Sequence, residues 1–266
     1  MANLAYAQTG EGFPVVFLHG FCENKEIWRE FTAPLMGVFR IISVDMPGFG
    51  ESTGNPQYQT VDQMAGEVNE LLDELNISQA VIVAHSLGGY VALALAEQHP
   101  EKVAGLCLFH SSAFPDSEEK QQSRNKTADF IERNGVPAFI ENFVPPLFYK
   151  GRHDELKEAI EKTRQITLKT PKETAVAVTK AMRDRPDRTH VLKAAQYPVL
   201  FIAGKEDEAV PFANASAQFF LPKHSIVLAL HETAHMGMFE KTEETQLMID
   251  YFARLCLQQR SKPAAV

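Results

Sequence analysis

The stretch Ala84-His85-Ser86-Leu87-Gly88-Gly89 sets a serine after an apolar run, Ala80 to Val83, and before a helical run beginning near Gly89. A serine in a sharp strand-to-helix turn exposes its hydroxyl, with the positive end of the helix dipole beneath it. Only small residues fit two positions to either side, where a larger Cβ would collide with the neighbouring strand and helix, and Ala84 and Gly88 satisfy this. A serine hydroxyl is a poor nucleophile at neutral pH. It needs a histidine to take its proton and an acid to orient that histidine, so the chemistry in view is covalent acyl transfer.

Other reactive patterns carry less. His231-Glu232-Thr233-Ala234-His235 matches the zinc string H-E-x-x-H, whose chemistry needs both histidines on one helical face and a third ligand beyond. Here a strand-like run, SIVLAL, leads in, and Thr233 and Gly237 are poor helix residues, so no metal is expected. Cys22, Cys107 and Cys256 are odd in number, far apart and outside any C-x-x-C, which suggests neither a disulfide framework nor a metal site and fits a reducing compartment. Cys22 has no basic partner of its own and reads as packing, not as a second nucleophile.

Positioning the serine falls to alternating strands and helices. Short β-branched runs recur at Val15 to Leu18, Arg40 to Asp45, Ala80 to Ala84, Val103 to Phe109, Val199 to Gly204 and Ser225 to Leu230. Runs of continuous apolar character separated by helices predict a parallel sheet covered on both faces. Val61, Met64, Ala65, Val68, Leu71, Leu72 and Leu75 form the stripe of one amphipathic helix, and Gly89 to Glu97 is apolar nearly all round, as a helix against the sheet centre would be. A last helix is expected from about Thr242 to Gln258. Between Ala113 and about Lys193 the strand rhythm stops and helical patterns take over, near Glu118 to Asn134, Pro137 to Phe143, Asp154 to Thr167 and Pro171 to Arg183. No Gly/Ser linker brackets them, so the expectation is one core domain, 1–112 and 194–266, with 113–193 inserted into it as a helical cap.

The chain has 266 residues, 45% hydrophobic and 23% charged, enough for a globular domain with a large core. Its net charge of -8 would repel a phosphate backbone, so no nucleic-acid partner is expected. The start has no basic n-region and no apolar run of signal or membrane length, so the protein is expected to be cytoplasmic, with no membrane partner; the sequons at Asn76, Asn125 and Asn214 then carry no meaning.

With these motifs the chain resembles the α/β-hydrolase family from about Leu4 to Gln258, and within it small esterases and enol-lactone hydrolases. His19-Gly20-Phe21 stands where that family places its oxyanion loop, and Asp45-Met46-Pro47-Gly48-Phe49-Gly50-Glu51-Ser52 resembles its D-x-P-G-x-G-x-S turn. The resemblance implies a mostly parallel α/β sheet and the order serine, acid, histidine. Gly204 to Pro211 is similar to the family's G-x-x-D-x-x-x-P loop, which makes Asp207 the acid, with Glu206 and Glu208 solvated and Asp116 as a fallback after the preceding strand. Of nine histidines, His235 alone combines a late position with a loop after the last strand, making it the general base and acid. His231 reads as structural, His19 as a brace for the oxyanion loop and His85 as pointing away from the serine. His99, His110, His153, His190 and His224 read as surface or capping residues.

The family likeness further implies an oxyanion hole from the Phe21 and Leu87 amides. A pocket is expected from Trp28, Phe114, Phe139, Phe143, Phe148, Val210 and Met236, the alternative for the aromatics of the inserted stretch being its own small core. The expected function is a serine hydrolase of a small ester or lactone, without cofactor or metal. The alternatives are a carbon–carbon bond hydrolase, whose members often carry a more glycine-rich oxyanion loop than Gly20-Phe21-Cys22, a thioesterase or perhydrolase, or a small-ligand receptor with slow turnover. Serine at the turn argues against the relatives that use aspartate there, and oligomeric state stays open.

Overall fold

The apolar runs form a seven-stranded sheet in the order β1-β3-β2-β4-β5-β6-β7. The computed structural model describes residues 4–35, 37–53 and 60–260. The strands are β1 (Tyr6–Thr9), β2 (Phe13–Leu18), β3 (Phe39–Val44), β4 (Ala80–His85), β5 (Val103–Phe109), β6 (Val199–Gly204) and β7 (Ser225–Leu230). All neighbours run parallel except β1, which lies antiparallel on β3. β1 was absent from the sequence reading because all of its residues are exposed, leaving no apolar alternation to see. β4 and β5 are wholly buried, as expected of strands covered on both faces.

Helix α1 (Val61–Glu74) opens with a capping box between Thr60 and Gln63, and its stripe from Val61 to Leu72 is buried. Leu75 caps its end instead of continuing the stripe. Helix α2 (Leu87–Gln98) is buried from Leu87 to Ala96. Four helices stand between β5 and β6: α3 (Glu118–Phe143), α4 (Lys157–Thr167), α5 (Lys172–Asp184) and α6 (Thr189–Ala194). Gly135 interrupts α3 with φ 79°, so its two limbs correspond to the two helices read from sequence. The short α6 was not separated in that reading. α7 (Phe212–Ser216), α8 (Gly237–Glu240) and α9 (Thr242–Arg260) follow. Among the described residues no helix is long and apolar enough to cross a membrane.

Strand order fixes where a site can form. β3 and β4 lie on opposite sides of β2, so the connections after β2 and β4 depart in opposite directions and leave a crevice at the carboxyl ends of these strands. Leu18 pairs with Ala84, His85 with Phe109, Phe109 with Ile202 and Gly204 with Leu230. The strand ends are therefore level, and the loops that begin at His19, Ser86, His110, Lys205 and His231 converge on one edge.

Candidate active site

Ser86 sits between β4 and α2 with φ 49° and ψ −114°, a left-handed conformation that costs a non-glycine residue strain. Neighbouring bonds hold it there: its amide donates to Phe109 O at 3.0 Å, and its carbonyl accepts from Gly89 N at 2.9 Å and Ser111 Oγ at 2.7 Å. A Cβ on Gly88 would lie 2.7 Å from Leu18 O, which is why the turn can pack so closely on β2. Ser86 itself is only half-buried.

His235 and Asp207 meet across the loops after β7 and β6. His235 Nδ1 lies 2.7 Å from Asp207 Oδ2, while Oδ1 accepts from Ala209 N at 2.8 Å and Val210 N at 2.9 Å. Burial works against charge on Asp207, but the charge of His235 and the hydrogen bonds from two histidines hold its carboxyl far below the usual carboxylate range. Among the described residues the His235 ring has its one hydrogen-bond partner at Nδ1, and Nε2 has none. Glu208 is exposed and Glu206 half-buried, accepting from Thr233 N at 3.0 Å. Asp116 is buried too, but its partners are Arg185 at 2.7 Å and Arg124 at 3.1 Å, and it makes no contact with His235.

His110, expected from sequence to be a surface or capping residue, is instead a second histidine on Asp207. It is 1% exposed, with φ 51°, and its Nδ1 is 3.1 Å from Asp207 Oδ2. Burial lowers its pKa to about 4, so the ring is neutral at ordinary pH. No local pattern marks it, because its role arises from pairing of β5 with β6. His110, Asp207 and His235 present ligand atoms within 4.8 Å of one another, a set that could gather round a cation. The same contacts are hydrogen bonds when each ring carries a proton on Nδ1, and a nitrogen bound to metal carries none. The H-E-x-x-H string is not helical: Glu232 has φ 53°, His231 is exposed and bonds Lys205 Nζ at 2.8 Å, and His235 is buried.

In the loop after β2, His19 Nδ1 bonds Gly20 O at 2.8 Å and Nε2 accepts from Met46 N at 2.9 Å, so the ring braces the loop as expected. Burial lowers its pKa, consistent with a neutral ring donating from Nδ1. Among the described residues the Phe21 and Leu87 amides have no hydrogen-bond partner. Glu23, passed over in the sequence, is buried and accepts from Gly20 N at 2.7 Å. His85 is buried between Glu23 at 3.1 Å and the His235 carbonyl at 2.9 Å. The one clue to Glu23 was a charge among Phe21, Cys22, Ile27 and Trp28.

The residues proposed to line a pocket divide. Phe139 and Phe143 stack at 4.8 Å and meet Phe21 edge-on at 6.1 and 5.8 Å. Phe114 and Val210 line a cavity of about 350 Å³ with Tyr90, Ser112, Lys120 and Arg185. Trp28 is 0% exposed among Phe17, Phe31 and Phe109, which places it in the core. Phe148 is buried against Phe239, and Met236 is buried with its amide on Glu240 at 3.1 Å. The helical stretch between β5 and β6 grips the site loops: His235 N donates to Leu147 O at 2.8 Å, and Thr170 Oγ1 to Cys22 O at 2.9 Å.

The sequence model of the α/β hydrolase fold matches residues 14–242. The dihydrolipoyllysine-residue acetyltransferase component of the acetoin cleaving system of Pseudomonas putida is 30% identical over 246 residues, 91% of this chain, and the chain spans 64% of that protein's length. The 2-hydroxymuconate semialdehyde hydrolase of Pseudomonas sp. (strain CF600) is 32% identical over 226 residues, 78% of this chain and 75% of that protein. A solved thermophilic esterase from Thermogutta terrifontis superposes with a TM-score of 0.90 at 32% identity, over 95% of this chain and 93% of its own.

Proposed function

Since this chain belongs to the α/β hydrolase fold family, we propose that it is a serine hydrolase cleaving small carboxylic esters or lactones through an acyl-enzyme. The observation that carries the reading is the 2.7 Å contact between His235 Nδ1 and Asp207 Oδ2, which leaves His235 Nε2 as the ring's working nitrogen. Ser86 Oγ attacks the carbonyl carbon as its proton passes to His235 Nε2. The carbonyl oxygen takes the negative charge and is held by the Phe21 and Leu87 N–H groups, each such donor being worth roughly 10² to 10³ in kcat. The imidazolium returns the proton to the leaving oxygen as the carbon–oxygen bond breaks. Water then repeats the sequence on the acyl-enzyme, and Asp207 stays ionised throughout. The thermophilic esterase at 32% identity supports the ester reading.

Residues 113–193 act as a cap in this proposal, with Phe139 and Phe143 against Phe21 forming apolar wall beside the oxyanion loop. Likeness to a 2-hydroxymuconate semialdehyde hydrolase favours carbon–carbon bond cleavage as the second reading. Turnover of short p-nitrophenyl esters, set beside vinylogous diketone substrates and a Ser86→Ala control, tests both. Preference for the diketones selects the second, and equal rates from Ser86→Ala reject both.

A further inference from the structure

Glu23 and His85 are both buried, at 2% and 1% exposure, and neither touches the reacting atoms of the proposed mechanism. Glu23 Oε2 accepts from Gly20 N at 2.7 Å and lies 3.1 Å from His85 Nδ1. On the far side of the ring, His85 Nε2 lies 2.9 Å from the His235 carbonyl oxygen. A carboxylate and a carbonyl only accept, so both contacts are hydrogen bonds when the ring is protonated at both nitrogens. The chain of bonds runs from the Gly20 amide through Glu23 and His85 to the His235 backbone. It crosses from the loop after β2 to the loop after β7 by way of the residue that precedes Ser86.

We propose that the Glu23–His85 ion pair is a positioning device, setting the distance between the Phe21 amide in one loop and the His235 ring in the other. The inference rests on the serine-hydrolase reading of Ser86 and His235. Three observations support it. Gly20 is packed onto the pair so closely that a Cβ there would lie 2.6 Å from His85 Nδ1 and 3.0 Å from Glu23. Cys22, within the same loop, has φ 61°, a strained conformation that persists only when its surroundings hold it. Finally, two charges are kept out of water where an apolar pair would serve stability as well, which points to geometry as their use.

Burial opposes charge on both partners, yet the charge of each and the hydrogen bonds around them hold Glu23 below and His85 above their ordinary pKa values. The other ionisable groups facing His85 are His19 after β2, His110 after β5, Asp207 after β6 and His235 itself.

The test compares Glu23→Gln, His85→Gln and the double variant on p-nitrophenyl acetate, with active sites counted by fluorophosphonate titration. In each single variant kcat per labelled serine should fall roughly ten- to a hundredfold, with KM within about twofold. The double variant should lose no more than the worse single one, because the pair acts as a unit. A merely structural role would lower the melting temperature and the labelled fraction but leave the rate per labelled serine unchanged, and that result overturns the inference. Should a variant fail to melt cooperatively, the unaltered protein decides. In ¹⁵N spectra the His85 ring, which meets Trp28 edge-on at 6.3 Å, should carry both N–H protons at neutral pH, because both nitrogens face acceptors, and a single proton there overturns the pair. If the unaltered protein neither turns over esters nor takes the label, the hydrolase reading fails, and the spectra still report on the pair.

Discussion

His110 Nδ1 lies 3.1 Å from Asp207 Oδ2, the oxygen that also receives His235 Nδ1 at 2.7 Å. With the Ala209 and Val210 amides on Oδ1, the carboxylate has four donors fixing its plane, two on each oxygen. An acid held this way cannot turn, so the His235 ring cannot turn with it.

Replacing Asp207 with Asn removes the charge that stabilises the imidazolium and offers a donor where His235 needs an acceptor. We expect kcat to fall by roughly 10² to 10⁴ with KM nearly unchanged. Asp116→Asn should leave the rate per folded molecule intact while weakening the fold by roughly 3 kcal/mol, since Arg185 then stays buried without its counter-charge. Steady-state kinetics and denaturant melts on both variants check this, and loss of activity in Asp116→Asn alone would move the acid to the loop after β5.

His110 also predicts a pH signature in stability. Its folded pKa is lowered to about 4 by burial, against about 6.5 when unfolded. Between those values the unfolded chain binds the extra proton, so this residue's contribution falls as pH falls through that window. His110→Asn removes the titrating group. The stability gap between the unaltered protein and the variant should therefore shrink by on the order of 1 to 2 kcal/mol between pH 7.5 and 5. A gap that stays constant in urea melts at the two pH values contradicts a buried neutral ring.

Glu240 braces the histidine loop from below in sequence, accepting from Tyr149 N at 2.7 Å, Ala234 N at 3.0 Å and Met236 N at 3.1 Å. Glutamine keeps only one of the two acceptor oxygens, so Glu240→Gln should leave one amide orphaned and cost about 1 to 3 kcal/mol. Because the freed loop carries His235, kcat should drop with it. Unchanged melting and unchanged kcat would show that the helical stretch through Tyr149 does not support this loop.

Sequence and structure agree where the signal is local. The runs Val103 to Phe109, Val199 to Gly204 and Ser225 to Leu230 match β5, β6 and β7 end to end, since apolar runs closed by turn residues are visible residue by residue. Ser86 was legible because strand, turn and helix follow one another in the chain, and the approach of Asp207 to His235 followed from loops assigned by family likeness. What escaped depends on pairing between distant segments. His110 faces Asp207 only because β5 and β6 are neighbours, and Glu23 finds His85 only because β2 lies beside β4. Trp28 failed as a pocket residue for a related reason: it closes a single 3-10 turn, Lys25–Trp28, too short to have a periodicity that shows which way the ring turns.

The gathering of His110, Asp207 and His235 makes metal dependence a direct question. If they are hydrogen-bonded as described, prolonged dialysis against a strong chelator should leave ester turnover within about 20% of its starting value, because no step of the proposed triad chemistry passes through a metal. Activity lost on chelation and restored by added zinc would reassign His110, Asp207 and His235 as ligands.

The proposed mechanism makes Ser86 the nucleophile. Its most direct test is covalent labelling with a fluorophosphonate followed by peptide mass spectrometry of the modified chain. A single adduct is expected on the peptide containing Ser86, slowed by roughly 10² or more in His235→Ala and absent from Ser86→Ala. An adduct on any other residue, or labelling that persists in Ser86→Ala, would contradict it.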